Sequence, residues 1–238
     1  MKYQLRDYQK KASDAAVMCF KMKSGRNGLL VLPTGAGKSL IIADIAARLE
    51  EPLIVFQPNK EILEQNFAKL QTYGIWDCSI YSASVGRKEI SRITFATIGS
   101  VIRHMKDFQH FKNILIDESH LVKPSDGMYK RFFEQAERRI VGLTATPYRL
   151  YSCMNGSMLK FLTRTRPRVF SQVLYYCQVS ELLAKGFLSR LKYYDVTRID
   201  LTKVRRNSSG ADFDDASLSD EFRRVDPVSY THLTLPTS

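Results

Sequence analysis

The chain has 238 residues, 44% of them hydrophobic, which is enough for one large globular domain with its own core. It contains no run of about 18 apolar residues and its first residues are charged, so we expect neither a membrane span nor a secretory signal. The four cysteines form no CxxC pair, which favours buried thiols in a reducing cytoplasm over a disulfide framework or a zinc site. A net charge of +12 favours a polyanionic partner, and about two-thirds of the surplus lies within residues 160–206.

Apolar periodicity predicts alternating helices and strands over the first 145 residues. In chain order the predicted elements are a helix over 7–22, a strand over 28–32, a helix over 39–49, a strand over 53–56, a helix over 59–70, and strands over 93–96, 114–116 and 140–143. The strand segments show little polar alternation, as expected where both faces of a parallel sheet are covered. The pattern therefore predicts an α/β fold with a mostly parallel, doubly wound sheet and helices on both faces.

Beyond residue 148 the periodicity weakens. The sequence indicates strands over 169–176 and 191–196, a short helix over 180–186 that ends at a glycine, and a polar loop over 203–216. The final segment, 228–238, differs in character from the rest of the chain and resembles the translation of a sequencing adaptor. We therefore expect the native reading to end near Asp226, and we leave 228–238 out of the fold.

Small, polar or charged residues follow each of the five predicted strands in the first 145 residues. These are Pro-Thr-Gly-Ala-Gly-Lys-Ser at 33–39, Gln-Pro-Asn-Lys at 57–60, Thr-Ile-Gly-Ser at 97–100, Asp-Glu-Ser-His at 117–120 and Thr-Ala-Thr-Pro at 144–147. Ligands of open parallel sheets bind beyond the carboxyl ends of the strands. The five segments therefore predict a binding site along one edge of the sheet.

The segment 33–39 contains what a nucleotide-binding loop needs. Gly35 and Gly37 let backbone N–H groups approach phosphate, Lys38 is a point charge for the β- and γ-phosphates, and Ser39 offers a hydroxyl to Mg²⁺. Leu32 stands where the strict G-x-x-x-x-G-K-[ST] pattern begins with glycine, and Gly-Lys-Ser alone could be a capped turn. A predicted strand before it and a helix after it favour the nucleotide site, for which the binding residues are Thr34, Gly35, Ala36, Gly37, Lys38 and Ser39.

The pair Asp117-Glu118 supplies the second half of the predicted site. It follows a buried strand and lies 79 residues after Lys38. Mg²⁺ keeps several waters and needs few protein oxygens, so Asp117 with Ser39 is the predicted metal-binding pair. Glu118 is the predicted group that polarises the attacking water, and the alternation of side chains at a strand end would let the two carboxylates take different roles.

Six ordered segments resemble the motifs of superfamily 2 helicases of the DEAD/DEAH kind. They are Leu-Arg-Asp-Tyr-Gln at 5–9, the loop at 33–39, Pro-Asn-Lys at 58–60 with Leu63 and Gln65, and the segments at 97–100, 117–120 and 144–147. The resemblance covers residues 5–149 and implies a RecA-like P-loop NTPase lobe over residues 1–150. It also implies ATP and Mg²⁺ as cofactors.

The same resemblance implies roles for further residues. Arg6 and Gln9 would recognise adenine. The nucleic-acid contacts would be Pro58, Asn59, Thr97 and Ser100, although Thr97 and Ser100 could instead cap a helix. His120, Thr144 and Thr146 would couple the nucleotide state to the grip on nucleic acid.

Within the superfamily the chain resembles the RadD-like DNA-repair ATPases and the related type III restriction motor subunits. The segments that carry this likeness are Val-Leu-Pro-Thr-Gly-Ala-Gly-Lys-Ser at 31–39, Thr-Pro-Tyr-Arg-Leu at 146–150 and Leu-Leu-Ala-Lys-Gly-Phe-Leu at 182–188. Hydrolysis in such motors needs an arginine finger from a second lobe, worth roughly 10³–10⁵ in rate. No Q-x-x-G-R-x-x-R pattern occurs after Lys160, and residues 151–227 resemble the end of the first lobe with an incomplete start of a linker or second lobe. We therefore expect a fragment that binds ATP and hydrolyses it poorly alone.

The leading hypothesis is an ATP-driven DNA helicase or translocase of DNA repair or recombination, located in the cytoplasm. The alternatives are the motor subunit of a restriction system, an RNA helicase, and a nucleotide- or nucleic-acid-binding module without turnover. A nucleotide kinase would also use a P-loop, but it would leave the segments 5–9 and 144–147 without a role.

Overall fold

The computed structural model of the chain describes residues 4–22, 26–153, 156–190, 200–207 and 212–225. The described strands are β1 (Gly28–Val31), β2 (Leu53–Phe56), β3 (Cys78–Ser82), β4 (Arg87–Lys88), β5 (Ile93–Ala96), β6 (Asn113–Ile116), β7 (Arg139–Thr144), β8 (Tyr148–Cys153), β9 (Gly156–Phe161) and β10 (Gln172–Tyr176). The described helices are α1 (Asp7–Lys21), α2 (Lys38–Arg48), α3 (Lys60–Thr72), α4 (Ile98–Val101), α5 (Met128–Phe133), α6 (Val179–Ala184) and α7 (Asp215–Val225).

One eight-stranded sheet organises the larger part of the described chain. Its strand order is β10-β1-β7-β6-β2-β5-β3-β4, and all neighbours pair in parallel except β3 and β4. Strands β8 and β9 form a separate two-stranded sheet. The five strands predicted over the first 145 residues are the five central strands, so the predicted α/β class is confirmed.

Both faces of the sheet are covered, because successive side chains of β2 pack into two different core clusters. Leu53 and Val55 pack in a core cluster with residues of α1, α2 and α3, whereas Ile54 and Phe56 pack in a second cluster with Phe108 and other aromatic residues. Successive side chains of a strand point to opposite faces, so an apolar run without alternation is what a doubly covered strand requires. Burial of apolar surface on both faces is the main term that stabilises this sheet.

The chain divides into two compact units. The first comprises Met1–Arg149 and Phe161–Ser189 and contains the eight-stranded sheet with α1 to α6. The second comprises Leu150–Lys160 and Arg190–Ser238 and contains α7. The first unit thus includes β10, the edge strand that pairs with β1.

Several predicted elements differ from the observed ones. The strand predicted over 169–176 begins only at Gln172, the helix predicted over 180–186 is Val179–Ala184, and the sequence did not indicate the β3–β4 hairpin. The loop predicted over 203–216 is wrong at its end, because Asp214 accepts a hydrogen bond from the Ser217 N–H at 2.9 Å and α7 begins at the next residue. The predicted strand over 191–196 and the segment 228–238 lie outside the described residues.

No helix among the described residues is long and apolar enough to cross a membrane. Cys19 and Cys177 are buried free thiols and Cys78 is a half-buried one.

Candidate nucleotide site and nucleic-acid groove

The loop between β1 and α2 has the backbone shape that the glycines predict. Gly35 and Gly37 adopt left-handed φ values of 81° and 75°, a conformation that side chains disfavour. Gly37 is also crowded, because a Cβ atom there would lie 2.5 Å from Nε2 of Gln9. Gly37 is the N-cap of α2, so Lys38 and Ser39 form its first turn, where the free N–H groups and the helix dipole favour an anion.

Asp117 is fixed at the carboxyl end of β6 by three hydrogen bonds. Its N–H donates to the Phe56 carbonyl at 3.0 Å, while its carboxylate accepts from the Glu118 N–H at 3.0 Å and from Nδ2 of Asn66 at 3.3 Å. The residue is buried, and burial raises the pKa of the Asp117 carboxyl while the nearby Lys38 ammonium opposes that rise. A buried carboxylate next to a hydroxyl-bearing phosphate loop is a donor set that suits Mg²⁺.

Glu118 takes a different direction from Asp117 because the backbone turns there. Its φ of 47° lies in the left-handed region, where non-glycine residues are uncommon and strained. The different directions of the two carboxylates therefore come from this turn, and the prediction that strand alternation separates them was wrong, since β6 ends at Ile116. The turn is accommodated next to Gly142 of β7, where a Cβ atom would lie 2.7 Å from Ser119.

A network of charged and polar side chains joins the phosphate loop to the end of β7. Lys38 forms an ion pair with Oε1 of Glu118, and Oε2 of Glu118 lies 3.3 Å from Nδ1 of His120. The same His120 nitrogen lies 3.1 Å from the Thr144 hydroxyl. That hydroxyl donates to the Thr146 carbonyl at 3.1 Å and accepts from the Thr146 N–H at 3.0 Å.

Nδ1 of His120 lies within hydrogen-bonding reach of both the Glu118 carboxylate and the Thr144 hydroxyl. Whether Nδ1 donates or accepts in these contacts depends on the tautomer of the imidazole. Burial lowers the pKa of His120, and Glu118 opposes that change less strongly. The lower pKa favours the neutral imidazole over the imidazolium.

The two predicted adenine-binding residues lie beside the phosphate loop. Gln9 donates from Nε2 to the Ala36 carbonyl at 3.0 Å and accepts from the Arg6 N–H at 2.9 Å. Tyr8 donates to the same Ala36 carbonyl at 3.0 Å. The Arg6 guanidinium lies over the ring of Phe187, 4.2 Å from its centroid. Sequence reasoning did not assign a site role to Tyr8 or Phe187.

The four predicted nucleic-acid contacts lie together, along a groove at the carboxyl ends of β2 and β5. The groove has a volume of about 520 Å³ and is lined by Pro58, Asn59, Lys60, Ala83, Ser84, Lys88, Thr97, Gly99, Ser100, Arg103 and His104. None of these described lining residues is acidic, and Lys60, Lys88 and Arg103 are exposed cations. Lys88 and Arg103 were missed by sequence reasoning, because they come from a hairpin and a loop that are far apart in the chain. Lys60 lies in the predicted segment 58–60 but was assigned no contact.

Three of the predicted nucleic-acid residues also hold the structure together. Asn59 accepts from the Ile62 N–H at 3.0 Å and so caps α3. Ser100 accepts from the Ala83 N–H at 2.9 Å, and its hydroxyl lies 2.9 Å from the Thr97 hydroxyl. These bonds tie the β3–β4 hairpin to α4, so both walls of the groove have a defined separation.

The nucleotide site and the groove are connected through hydrogen bonds. Phe56 lies two residues before Pro58 of the groove, and its carbonyl accepts from the Asp117 N–H. Asn66 of α3, the helix that begins in the groove, donates to the Asp117 carboxylate. At the other side, the Leu32 N–H donates to the Thr144 carbonyl at 3.0 Å. Asp117 is therefore connected to the groove, and Thr144 to the start of the phosphate loop, through direct hydrogen bonds and a few covalent bonds.

Comparison with known proteins identifies relatives of this chain and the family to which it belongs. The chain is 29% identical over 151 residues to the DNA 3'-5' translocase XPB2 of Sulfurisphaera tokodaii, a match that covers 62% of this chain and 32% of that protein. It is 29% identical over 154 residues to the DNA 3'-5' helicase XPB of Mycobacterium tuberculosis, covering 60% of this chain and 27% of that protein. The chain thus spans about a third or less of the length of these relatives.

A solved structure of a restriction enzyme has the same fold. The nuclease-deletion mutant of the Type ISP restriction-modification enzyme LlaGI, in complex with a DNA substrate mimic, matches with a TM-score of 0.57 and 14% identity, covering 77% of this chain and 18% of that one. Residues 2–149, more than half of the chain, match the family described as Type III restriction enzyme, res subunit. The predicted resemblance to superfamily 2 helicases is thereby confirmed. The chain belongs to the Type III restriction enzyme res subunit family and contains the N-terminal lobe of a superfamily 2 helicase.

Proposed function

We propose that the chain is the nucleotide-binding lobe of an ATP-dependent motor that moves along DNA. The observation that carries the proposal is the meeting of Lys38, Glu118 and buried Asp117 at the same sheet edge as a groove whose charged lining residues are all cationic. A phosphate site and a polyanion site at one edge are what coupling between hydrolysis and movement requires. The similar proteins named as DNA translocase and DNA helicase support DNA as the polymer.

In the proposed mechanism the triphosphate replaces Glu118 as the partner of Lys38. The ion pair places the Lys38 ammonium in the space beside the Glu118 carboxylate. A γ-phosphate in that space would compete for Lys38 and leave the Glu118 carboxylate free to orient the attacking water. Ser39 and Asp117 would hold Mg²⁺, which neutralises charge on the phosphates when it is bound.

His120, Thr144 and Thr146 are the proposed route from hydrolysis to the groove. Release of Glu118 from Lys38 alters the partner of His120, since one His120 nitrogen lies within 3.3 Å of both Glu118 and Thr144. Thr144 is bonded in turn to Thr146 and to Leu32 at the base of the phosphate loop. We propose that this chain of contacts carries the nucleotide state to the strand ends that line the groove.

The groove would bind the backbone of one nucleic-acid strand. Pro58, Asn59, Thr97 and Ser100 offer small polar groups and main-chain atoms, while Lys60, Lys88 and Arg103 neutralise phosphates. Phosphate contacts of this kind position a strand without reading its sequence. The affinity would therefore depend strongly on salt and weakly on base composition.

Two further parts of the proposal rest on the family resemblance. Residues 1–150 would be the ATP-binding lobe, and residues 151–227 would be the end of that lobe and the start of a linker or second lobe. DNA repair or recombination, in the cytoplasm, is the proposed setting. The motor subunit of a restriction system is the second candidate, and it is favoured by the family match over residues 2–149.

The test is to measure ATP and single-stranded DNA binding by the same chain. We expect Lys38→Ala to weaken ATP binding at least about 10-fold, since a hydrogen bond to a charged group is worth about 1.5–3 kcal/mol. We expect the triple variant Lys60→Ala/Lys88→Ala/Arg103→Ala to lower the slope of log affinity against log salt by about 2, from about 0.7 per phosphate contact.

The matched control for the groove is the triple variant Lys11→Ala/Lys21→Ala/Lys112→Ala, which removes three exposed lysines that do not line it. Equal salt slopes for the two triple variants would refute the groove as the DNA site. ATP affinity that is unchanged by Lys38→Ala would refute the nucleotide site.

A further inference from the structure

The chain that follows α6 folds back onto the nucleotide site. Gly186 has a left-handed φ of 68°, and the N–H groups of Phe187 and Leu188 both donate to the Leu182 carbonyl, at 2.8 and 3.3 Å. These bonds close a tight hook, which we define as residues 186–188. The hook lies about 150 residues after the phosphate loop in the sequence, and no sequence motif assigned it a role in the site.

The hook touches both ends of the nucleotide site. The Phe187 ring lies under the Arg6 guanidinium at 4.2 Å and is tilted against the Tyr8 ring, with the ring centroids 5.8 Å apart. A Cβ atom added to Gly35 would lie 2.9 Å from Cδ2 of Leu188, so Leu188 packs directly against the phosphate loop. Phe187 and Leu188 are half-buried, whereas Arg6 is exposed.

An exposed arginine is a poor stacking surface unless something holds it. Its side chain loses rotamer entropy when it is fixed. The guanidinium is planar, and aromatic rings and guanidinium groups stack face to face, so one of its faces can lie on Phe187 while the other remains available to a purine. Gln9 is already held by its bonds to Arg6 and Ala36, which use one of its two N–H groups and one of its oxygen lone pairs.

We propose that Phe187 is a positioning residue for the purine base: it holds the Arg6 guanidinium flat so that the base stacks on the opposite face. This inference rests on the proposed nucleotide site and adds a residue that the helicase motifs do not contain. Stacking on a flat cation is tolerant of base identity, so Phe187 strengthens binding of ATP and GTP alike. Discrimination between the two bases belongs to Gln9.

A role in base binding can be tested apart from phosphate binding. Mg²⁺-ATP, Mg²⁺-GTP and inorganic tripolyphosphate are titrated into the full chain and its variants, and thermal melting is recorded for each. We expect Phe187→Ala to weaken ATP and GTP about 10-fold, because Arg6 is no longer held flat and a base stack is worth roughly that factor, while the affinity for tripolyphosphate stays the same. Phe187→Tyr keeps the ring and should retain the affinity of the unsubstituted chain.

Two further variants make the result specific. Phe187→Leu keeps apolar volume in the hook but lacks a flat face, so it should melt near the unsubstituted chain and still lose ATP affinity as Phe187→Ala does. Trp76→Ala removes an aromatic side chain that is 73% exposed in the loop between α3 and β3, and it should change neither affinity.

The outcomes distinguish the role of Phe187 from the nucleotide site itself. Unchanged ATP affinity in Phe187→Ala, or an equal loss of ATP and tripolyphosphate, would overturn the positioning role, since the second result means that the hook acts on the phosphate loop. Failure of the unsubstituted chain to bind both ATP and tripolyphosphate would overturn the nucleotide site and the role of Phe187 together. Loss of ATP and GTP with tripolyphosphate retained supports the positioning role.

Discussion

The nucleotide site and the groove lie at the same edge of the sheet but are built differently. In the nucleotide site, Asp117 is buried and the Lys38–Glu118–His120–Thr144 network ties each polar group to another. In the groove, Lys60, Lys88 and Arg103 are exposed, and in the proposed function they would act through charge. Binding in the first region therefore depends on exact geometry and binding in the second on the sum of charges, which predicts non-additive effects of substitution in the first and additive effects in the second.

Substitution of Glu118 should change catalysis more than any other single change. Glu118→Gln keeps the size of the side chain but removes the charge that orients water, so hydrolysis should fall at least about 100-fold. ATP affinity should not fall and should rise slightly, because Lys38 would no longer be held by a carboxylate. Single-turnover hydrolysis with the chain in excess, together with a binding titration, measures both quantities.

The control for this variant is Glu134→Gln, which neutralises a 60% exposed carboxylate that pairs only loosely with Lys130, at 3.7 Å. It should leave both hydrolysis and binding unchanged. If Glu118→Gln hydrolysed ATP at the original rate, the network around Lys38 would have only a structural role. Catalysis would then not distinguish the nucleotide site from the groove.

An intermediate effect is expected from single substitutions in the groove. Lys60→Ala, Lys88→Ala and Arg103→Ala should each lower the salt slope for single-stranded DNA by about 0.7, because each removes one phosphate contact. The three losses should sum to that of the triple variant. Fluorescence anisotropy at several salt concentrations measures the slopes.

Whether the losses from the three single substitutions add up decides if the groove differs from the nucleotide site. If one substitution alone produced the whole loss of the triple variant, the groove would bind through a single fixed contact and would resemble the nucleotide site. A loss spread evenly over the three residues supports a charge-based surface. The parallel experiment is the Lys38→Ala/Glu118→Gln pair, for which the combined change in unfolding free energy should differ from the sum of the single changes.

The sequence predicted the centre of the fold and the nucleotide site because both are encoded locally. Strands such as Ile93–Ala96 are short apolar runs that suit a doubly covered sheet, and the residues from Pro33 to Ser39 are contiguous. Strand β3 was missed because its sequence, Cys-Ser-Ile-Tyr-Ser, mixes polar and apolar residues. Its Ser79 hydroxyl donates to the Glu89 carbonyl at 2.9 Å, a tertiary bond that no local pattern reveals.

The residues of the site that were missed are those brought in by tertiary structure. Lys88 reaches the groove only because β4 turns back on β3, and Phe187 reaches Arg6 only because Gly186 allows a left-handed turn. The left-handed backbone of Glu118 was also outside the reach of the sequence, since glutamate has no preference for that region. Local composition therefore predicts the backbone of the phosphate loop well and predicts the walls of the site poorly.

The weakest effect should be the pH dependence of stability contributed by His120. Burial lowers its pKa in the folded chain, with Lys38 and Arg149 adding to that change and Glu118 opposing it. An unfolded histidine titrates near 6.5, so between about 6.5 and the lower folded pKa the unfolded chain binds a proton that the folded chain does not. The contribution of His120 to stability is therefore complete above about pH 6.5 and is lost as the pH falls below it.

His120→Gln should remove this part of the pH dependence. Urea unfolding at several values between about pH 7 and pH 5.5 should show a shallower loss of stability for His120→Gln than for the unsubstituted chain. The Lys60→Ala/Lys88→Ala/Arg103→Ala variant should keep the original slope, because lysine and arginine do not titrate in this range. Identical slopes for His120→Gln and the unsubstituted chain would mean that the His120–Glu118–Thr144 contacts are not sensitive to protonation, and the nucleotide site would then differ from the groove only in burial.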